Sequence, residues 1–317
     1  MNSLAVVLER PEQLVLSQLE LQSPGAEDIV VDVEWSGIST GTERLLWSGR
    51  MPSFPGMGYP LVPGYESVGR VVEAGPAAGH SVGERVFVPG ARCFGPVRGL
   101  FGGAASTLVV PGARAIEVGE ALGEQAVLLA LAATAYHSVS GGGKRHPIVA
   151  PDLIVGHGVL GRLLARLNVA AGNAPFTVWE RDAERAKGAQ GYTVAHPEDD
   201  PRRDYHAIYD VSGDASILDT LIARLAPGGE IVLAGFYSEP LAFAFAPAFM
   251  REAQIRCAAE WKKPDLLAVT QLAAERAFSL DGLITHHEVA EHAEGAYRTA
   301  FGDAGCLKMV LDWRHAA

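Results

Sequence analysis

Through about residue 122 the apolar positions come in short, valine-bearing runs separated by glycine and proline: Leu4–Leu8, Ile29–Val33, Ser67–Val72, Arg85–Val88 and Ser106–Val110. Short β-branched runs between turn formers predict strands, so this part reads as a compact, irregular, β-barrel-like domain. From residue 123 the texture changes. Gln125–Val139 reads as a mostly apolar helix, and glycines 141–143 as a linker. Strands are then predicted at Leu153–Val155, Phe176–Trp179, Ala207–Val211, Glu230–Ala234 and Gln254–Cys257. Helices interleave with them after Gly161, at Ile217–Leu225 and at Asp265–Phe278, and the tail ends in a strand at Leu307–Leu311. Strand–helix alternation predicts a right-handed, doubly wound parallel sheet. The fold class is therefore α/β, with a first domain over 1–122 to which 283–317 returns, and a second over 123–282.

The junction between the first strand and helix of the second domain carries the clearest chemistry. Leu153–Val155 runs through Gly156, His157, Gly158, Val159, Leu160 and Gly161 into a helix with leucines and alanines on one face. In a dinucleotide-binding turn the first glycine allows the bend and the second admits a pyrophosphate. The third lets helix and strand pack closely. The helix N-terminus then offers free N–H groups and a positive dipole to the phosphates. Glu180 ends the next strand, about twenty residues beyond the last glycine, where a carboxylate accepts hydrogen bonds from ribose hydroxyls. It would repel a 2′-phosphate, which favours NAD over NADP; Arg181 and Arg185 keep NADP open. Ser212–Gly213 and Gly235–Tyr237, with Phe236 between, follow later strands and are expected near the ribose and nicotinamide.

Composition narrows the setting. A chain of 317 residues with 48% hydrophobic content has room for two domains and a substantial core. A net charge of −11, without long acidic runs, argues against nucleic acid and anionic membrane surfaces as partners. Cys93, Cys257 and Cys306 are isolated, form no CxxC pair, and suit a reducing compartment better than a disulfide framework. The opening apolar run is cut short by Glu9, Arg10 and Pro11, so no signal peptide is expected, and no apolar stretch reaches the roughly twenty residues a bilayer requires. The expected location is the cytoplasm, with peripheral membrane contact left open.

Ser36–Arg44 and Pro63–Glu66, followed by the glycine turn and a closing return segment, resemble the medium-chain dehydrogenase/reductase superfamily along the whole chain. The resemblance implies a GroES-like β-barrel catalytic domain and a Rossmann NAD-binding domain. In zinc-dependent members the first segment supplies a cysteine and the second reads Gly-His-Glu. Here the cysteine position falls on Ser39 or Thr40, the histidine position is Tyr65, and only Glu66 survives. The third ligand position falls near Leu131–Ala133 and is apolar, and the four-cysteine lobe of some members is missing. A zinc-free site is expected.

The strings GISTGTE, SGRMPSFPGMGYPLVPGYE, FVPGARCFG, RGLFGGAAS, IVGHGVLGRLLARL, LAGFYSEPL and AFMREA resemble, in this order, the branch that serves bacteriochlorophyll biosynthesis. That resemblance implies NAD-dependent oxidation of the 3-(1-hydroxyethyl) side chain of a tetrapyrrole, a chlorophyllide or bacteriochlorophyllide, to 3-acetyl. Two other readings stand beside it: a zinc-free quinone or enone reductase, and a non-catalytic nucleotide- or pigment-binding protein. Analogy with relatives adds a homodimer paired through a strand between residues 230 and 257.

Several side chains carry two readings. Thr40 and Glu43 have the spacing of a helix capping box, which accounts for both without chemistry. Ser39 and Thr42 are turn residues or groups presented to nicotinamide and substrate, Ser39 being the better placed to polarise the substrate oxygen. Tyr65 is packing or catalytic, and Glu66 an internal anchor or catalytic. His137 ends the helix that passes behind the active site in this superfamily, either as a proton relay or as a partner for helix-end carbonyls. His157, inside the turn, is a spacer or a group that reaches cofactor or alcohol. A planar macrocycle requires a wide apolar cleft, for which Phe54, Met57, Tyr59, Phe94, Leu100 and Phe101 are the candidate walls.

Overall fold

A computed structural model describes residues 1–141, 149–173 and 175–316; Gly142 and Gly143 of the expected linker lie outside the described residues. The chain divides into two compact units, Met1–Ala130 with Leu280–Ala317, and Leu131–Ser279. The first break falls at 130 rather than 122 because the 3₁₀ segment Glu120–Leu128 packs on strands of the first unit.

The first unit opens with the antiparallel hairpin β1 (Asn2–Arg10) and β2 (Gln13–Glu20), then β3 (Asp28–Ile38), α1 (Thr42–Ser48), β4 (Leu61–Val62) and β5 (Ser67–Ala74). β6 (Arg85–Val88), β7 (Arg98–Gly99), β8 (Thr107–Pro111) and β9 (Ile116–Glu117) follow. β3 is the organising strand: β5 pairs along its length and β8 pairs with Asp28–Asp32. A strand covered on both faces is apolar without alternation, and Ile29, Val30 and Val31 are all buried. A second sheet, β2-β1-β4-β7, is tied to the first where Ser106 N–H donates to the Leu4 carbonyl (2.8 Å) and Leu4 N–H to Ser106 Oγ (3.0 Å). Their inner faces form one apolar core, in which each fully buried Val, Leu or Ile contributes roughly 1.5–3 kcal/mol.

The second unit follows the predicted alternation. α2 (Leu129–Ser140) leads to β10 (Leu153–Val155), α3 (Val159–Ala170), β11 (Thr177–Trp179), β12 (Thr193–Ala195), β13 (Tyr205–Asp210) and α4 (Leu218–Arg224). β14 (Leu225–Leu233), α5 (Phe245–Met250), β15 (Gln254–Cys257) and α6 (Lys263–Ala274) complete it. The strands are all parallel, in the order β12-β11-β10-β13-β14-β15. The order reverses between β10 and β13, and a crevice opens at such a switch point beyond the strands' carboxyl ends. β15 is an edge strand, and α5 before it exposes Phe245 (71%), Phe249 (64%) and Met250 (74%).

The chain then returns through β16 (His286–Val289), α7 (Ala293–Gly302) and β17 (Met309–Asp312), completing the first unit's sheet as β16-β17-β3-β5-β6-β9. Among the described residues no helix is long and apolar enough to cross a membrane.

Candidate functional site

The glycine turn sits at the switch point, and its three glycines do different work. Gly156 has φ +102°, a left-handed conformation that disfavours a side chain. A Cβ on Gly161 would lie 1.9 Å from the Gly156 carbonyl oxygen, so α3 can approach the turn this closely only without one. A Cβ on Gly158, by contrast, would meet no protein atom within 4 Å. This is the room a pyrophosphate requires, at the start of α3 where Val159 and the half-exposed Leu160 begin the helix. Glu180, just past β11, reaches back to the turn: Oε2 accepts the His157 N–H (3.1 Å), and Oε1 accepts those of Arg181 (2.8 Å) and Asp182 (3.0 Å). Arg181 is exposed and 3.6 Å from Asp214.

The loops after β13 and β14 meet beside this turn. Gly235 N–H donates to the Asp210 carbonyl (3.0 Å), and Asp210 Oδ1 accepts the Ser212 N–H (2.9 Å). Gly213 takes φ +72°. Phe236 is exposed, whereas the Tyr237 hydroxyl donates to Asp210 Oδ2 (2.6 Å) and so folds back on the strand end.

His157 corrects an expectation. Its ring is fully buried, Nδ1 donating to the Arg185 carbonyl (2.6 Å) and Nε2 accepting from the Tyr192 hydroxyl (2.7 Å). Burial lowers its pKa to about 4, so the ring is neutral, with its one N–H committed to a carbonyl and its other nitrogen to a hydroxyl, and neither is free to relay a proton. Arg162 on the following helix is buried too, its guanidinium donating to the carbonyls of His157 (3.0 Å), Arg185 (2.7 Å) and Lys187 (2.7 Å). Histidine and arginine together pin the segment after β11 onto the turn. The unfolded chain protonates His157 near its ordinary pKa of 6.5, well above the folded one. Stability from this group is therefore full above pH 6.5 and falls towards pH 4, with a slope approaching about 1.4 kcal/mol per pH unit. His157→Gln should flatten that slope in denaturant titrations between pH 7 and 5; an unchanged slope would refute the assignment.

The first unit gathers a second cluster of polar groups. Ser39 follows β3, and its Oγ lies 2.6 Å from the Tyr65 hydroxyl, with the Thr42 side chain nearby. Tyr65 is partly exposed and stands edge-on to Phe101, with ring centroids 5.5 Å apart. The capping box predicted from Thr40 and Glu43 does not form. α1 starts after Gly41 without a side-chain cap, and buried Glu43 instead accepts the Ser39 N–H (3.0 Å) and the Tyr297 hydroxyl (2.8 Å). Burial raises the Glu43 carboxyl to about 7, helped by the nearby Glu66 charge. Glu66 is also fully buried, with Oε2 2.6 Å from Lys308 Nζ and Oε1 without a hydrogen-bond partner among the described residues. Gly37 makes room for it, since a Cβ there would lie 2.3 Å from Glu66 Oε2. Burial raises the Tyr65 phenol well above its ordinary pKa, and it stays protonated at neutral pH.

Lys308 and Tyr297, both in the return segment, were not singled out from the sequence. The remaining expectations divide. His137, in the second unit, is nearly buried and bonds through Nδ1 to Asp265 Oδ2 (2.7 Å), a carboxylate that also accepts the Lys262 N–H at the start of α6. That contact fastens two helices. Phe94 and Leu100 are buried in the barrel core and are not free walls for a ligand, because both side chains pack among the core residues while Gly95, Pro96 and Arg98 between them stay exposed. Met57 and Tyr59 pack partly against the same core, the Tyr59 hydroxyl donating to the Leu46 carbonyl. Phe54 and Phe101 keep exposed surface.

Among the described residues no three His, Cys, Asp or Glu side chains gather as metal ligands. Where the resemblance aligns zinc ligands stand two hydroxyls and a carboxylate already bound by an ammonium. That donor set does not suit zinc, which takes thiolate, imidazole or a free carboxylate.

A GroES-like unit and a doubly wound unit with a dinucleotide turn define a medium-chain dehydrogenase of the alcohol dehydrogenase kind. The model of the alcohol dehydrogenase GroES-like domain matches residues 25–120. The 2-desacetyl-2-hydroxyethyl bacteriochlorophyllide A dehydrogenase of Cereibacter sphaeroides is 56% identical over 322 aligned positions, covering 100% of both chains. The alcohol dehydrogenase rspB of E. coli CFT073, solved with NADH, is 22% identical with a TM-score of 0.81 over 98% of this chain and 99% of that one. A putative zinc-binding dehydrogenase of Sinorhizobium meliloti 1021, bound to NADP, is 22% identical with a TM-score of 0.80 over 98% and 99%. These two structures speak for the fold. The chain belongs to the bacteriochlorophyllide A dehydrogenase family of medium-chain dehydrogenases.

Proposed function

We propose that this protein oxidises the hydroxyethyl side chain of a bacteriochlorophyllide-type pigment to an acetyl group, with NAD as hydride acceptor and without zinc. The substrate is the one named for the full-length relative. The observation that carries the zinc-free chemistry is the 2.6 Å contact between Ser39 and Tyr65.

Oxidation removes a hydride from carbon and a proton from oxygen, and bound NAD supplies the acceptor for the hydride. Tyr65, the more exposed of the pair, holds the reacting hydroxyl. The Tyr65 hydroxyl, its own proton directed to Ser39 Oγ, accepts the hydrogen bond of the alcohol, and the alcohol proton leaves to water on the exposed side of Tyr65 as the hydride departs. Because Tyr65 stays a neutral phenol, too weak a base to take the proton beforehand, this transfer accompanies hydride loss and does not precede it. The macrocycle shares positive charge as the hydride departs, so less acidification of the alcohol is required than a bound metal would provide.

Glu180 supports NAD: its carboxylate stands at the turn where an adenosine 2′-phosphate would meet like charge. Free thiols support a cytoplasmic setting, and the unpaired β15 edge beside exposed α5 phenyl groups supports a homodimer. The test is incubation with hydroxyethyl bacteriochlorophyllide and either NAD or NADP, following pigment absorbance and reduced cofactor together. Pigment-dependent NADH formation that survives chelator is expected, from a species sedimenting at twice the 33.5 kDa chain mass. Loss of activity with chelator and its return with zinc would overturn the mechanism. Quinone or enone reduction alone, or cofactor binding without turnover, would overturn the substrate. A monomer would remove the dimer.

A further inference from the structure

We infer that Lys308 is a positioning residue for the reaction: with Glu43 it clamps the single peptide unit, Ile38–Ser39, that brings the Ser39 hydroxyl to Tyr65. The inference rests on the reading that Tyr65 and Ser39 handle the alcohol proton.

The Ile38 carbonyl and the Ser39 N–H belong to one planar group, so fixing both fixes the plane and the direction in which Ser39 leaves it. Lys308 Nζ donates to the Ile38 oxygen at 3.1 Å, and Glu43 Oε1 accepts the Ser39 N–H at 3.0 Å. The ammonium on the carbonyl makes a charge-assisted bond, stronger than the neutral bonds a turn ordinarily makes, and Glu43, its carboxyl raised to about 7 by burial, adds a second such bond once ionised above that pH. Each gripping group is held in turn. Lys308 is paired with Glu66 at 2.6 Å, and Glu43 is held by the Tyr297 hydroxyl at 2.8 Å. Lys308 is 1% exposed and both glutamates 0%. Burying charges in this way is a poor route to stability, since an apolar set of the same volume commonly does as well. What the charges do accomplish is a peptide that cannot rotate. Tyr297 comes from α7, and Lys308 immediately precedes β17, so the return of the chain to its first unit supplies both outer members of the clamp.

The decisive variant is Lys308→Met combined with Glu66→Gln, which removes the cation without leaving a buried unpaired carboxylate. Thermal midpoint, NADH dissociation constant, and kcat and KM for the pigment are read together, with Tyr65→Phe alongside. The expected result is a thermal midpoint near the parent value, NADH affinity and pigment KM within about twofold, and kcat lowered about tenfold or more, the scale of a small misplacement of a reacting group. Wild-type kcat in the double variant would overturn the clamp, leaving Lys308 as a mere counter-ion for Glu66. Glu43→Gln loosens the other end in a nearly isosteric way and carries the same expectation, a lower kcat at unchanged NADH affinity, should the double variant fail to fold. Wild-type kcat in Tyr65→Phe would instead overturn the underlying reading of the hydroxyl pair.

Discussion

Tyr65→Phe is expected to lower kcat for hydroxyethyl oxidation by about 10²–10³-fold while leaving the NADH dissociation constant within about twofold. The ring, its edge contact with Phe101 and its packing survive the change; only the hydroxyl 2.6 Å from Ser39 Oγ is lost. Ser39 itself is 3% exposed and cannot replace it at the substrate, so the alcohol proton then has no partner in the first unit's polar cluster. Because the hydroxyl matters when the proton moves, the loss should fall on kcat more than on KM. A deuterium label on the carbinol carbon sharpens the test. The isotope effect on kcat should persist or grow in the variant, as expected when chemistry is the slowed step, and wild-type turnover would dismiss Tyr65 altogether.

This prediction moves the first contact from Ser39, favoured by sequence alone, to Tyr65, and the reason is burial. Exposure is a tertiary property, and no local pattern reports it. Local patterns did specify much of the rest. Strand β6 and strand β15 run where their valine and isoleucine runs place them, and the β–α alternation after Gly161 became a six-stranded parallel sheet. What failed was what depended on partners far away in sequence. Glu43 has capping-box spacing, yet its partner Tyr297 lies 254 residues on, and Lys308 reaches Glu66 across 242. His157 looked free between two glycines, yet the carbonyl and hydroxyl that engage it come 28 and 35 residues later. A buried lysine just before the final strand is a signal that could have been followed, since an ammonium in an apolar context requires a buried carboxylate. Glu66 was the one already in view.

The second large effect separates two glycines that look alike in sequence. Gly161→Ala puts a methyl 1.9 Å from the Gly156 oxygen, where contacts below about 3 Å do not occur, and the obstacle is backbone that has no rotamer to change. Helix α3 must then back away from β10, an overpacking that costs roughly 1–3 kcal/mol or more and spoils the turn. Both the thermal midpoint and cofactor affinity should fall. Gly158→Ala meets nothing in the protein within 4 Å, and its φ of −72° suits alanine. Its stability should therefore match or slightly exceed that of the parent, through the less flexible unfolded chain. The added methyl instead occupies the space assigned to the pyrophosphate, so NADH affinity should weaken about tenfold or more, which corresponds to roughly 1.4 kcal/mol. Calorimetric unfolding and nucleotide fluorescence on the two variants distinguish these outcomes without any turnover assay. If Gly158→Ala bound NADH as the parent does, the pyrophosphate would have to lie elsewhere, and the division of labour among the three glycines would be lost.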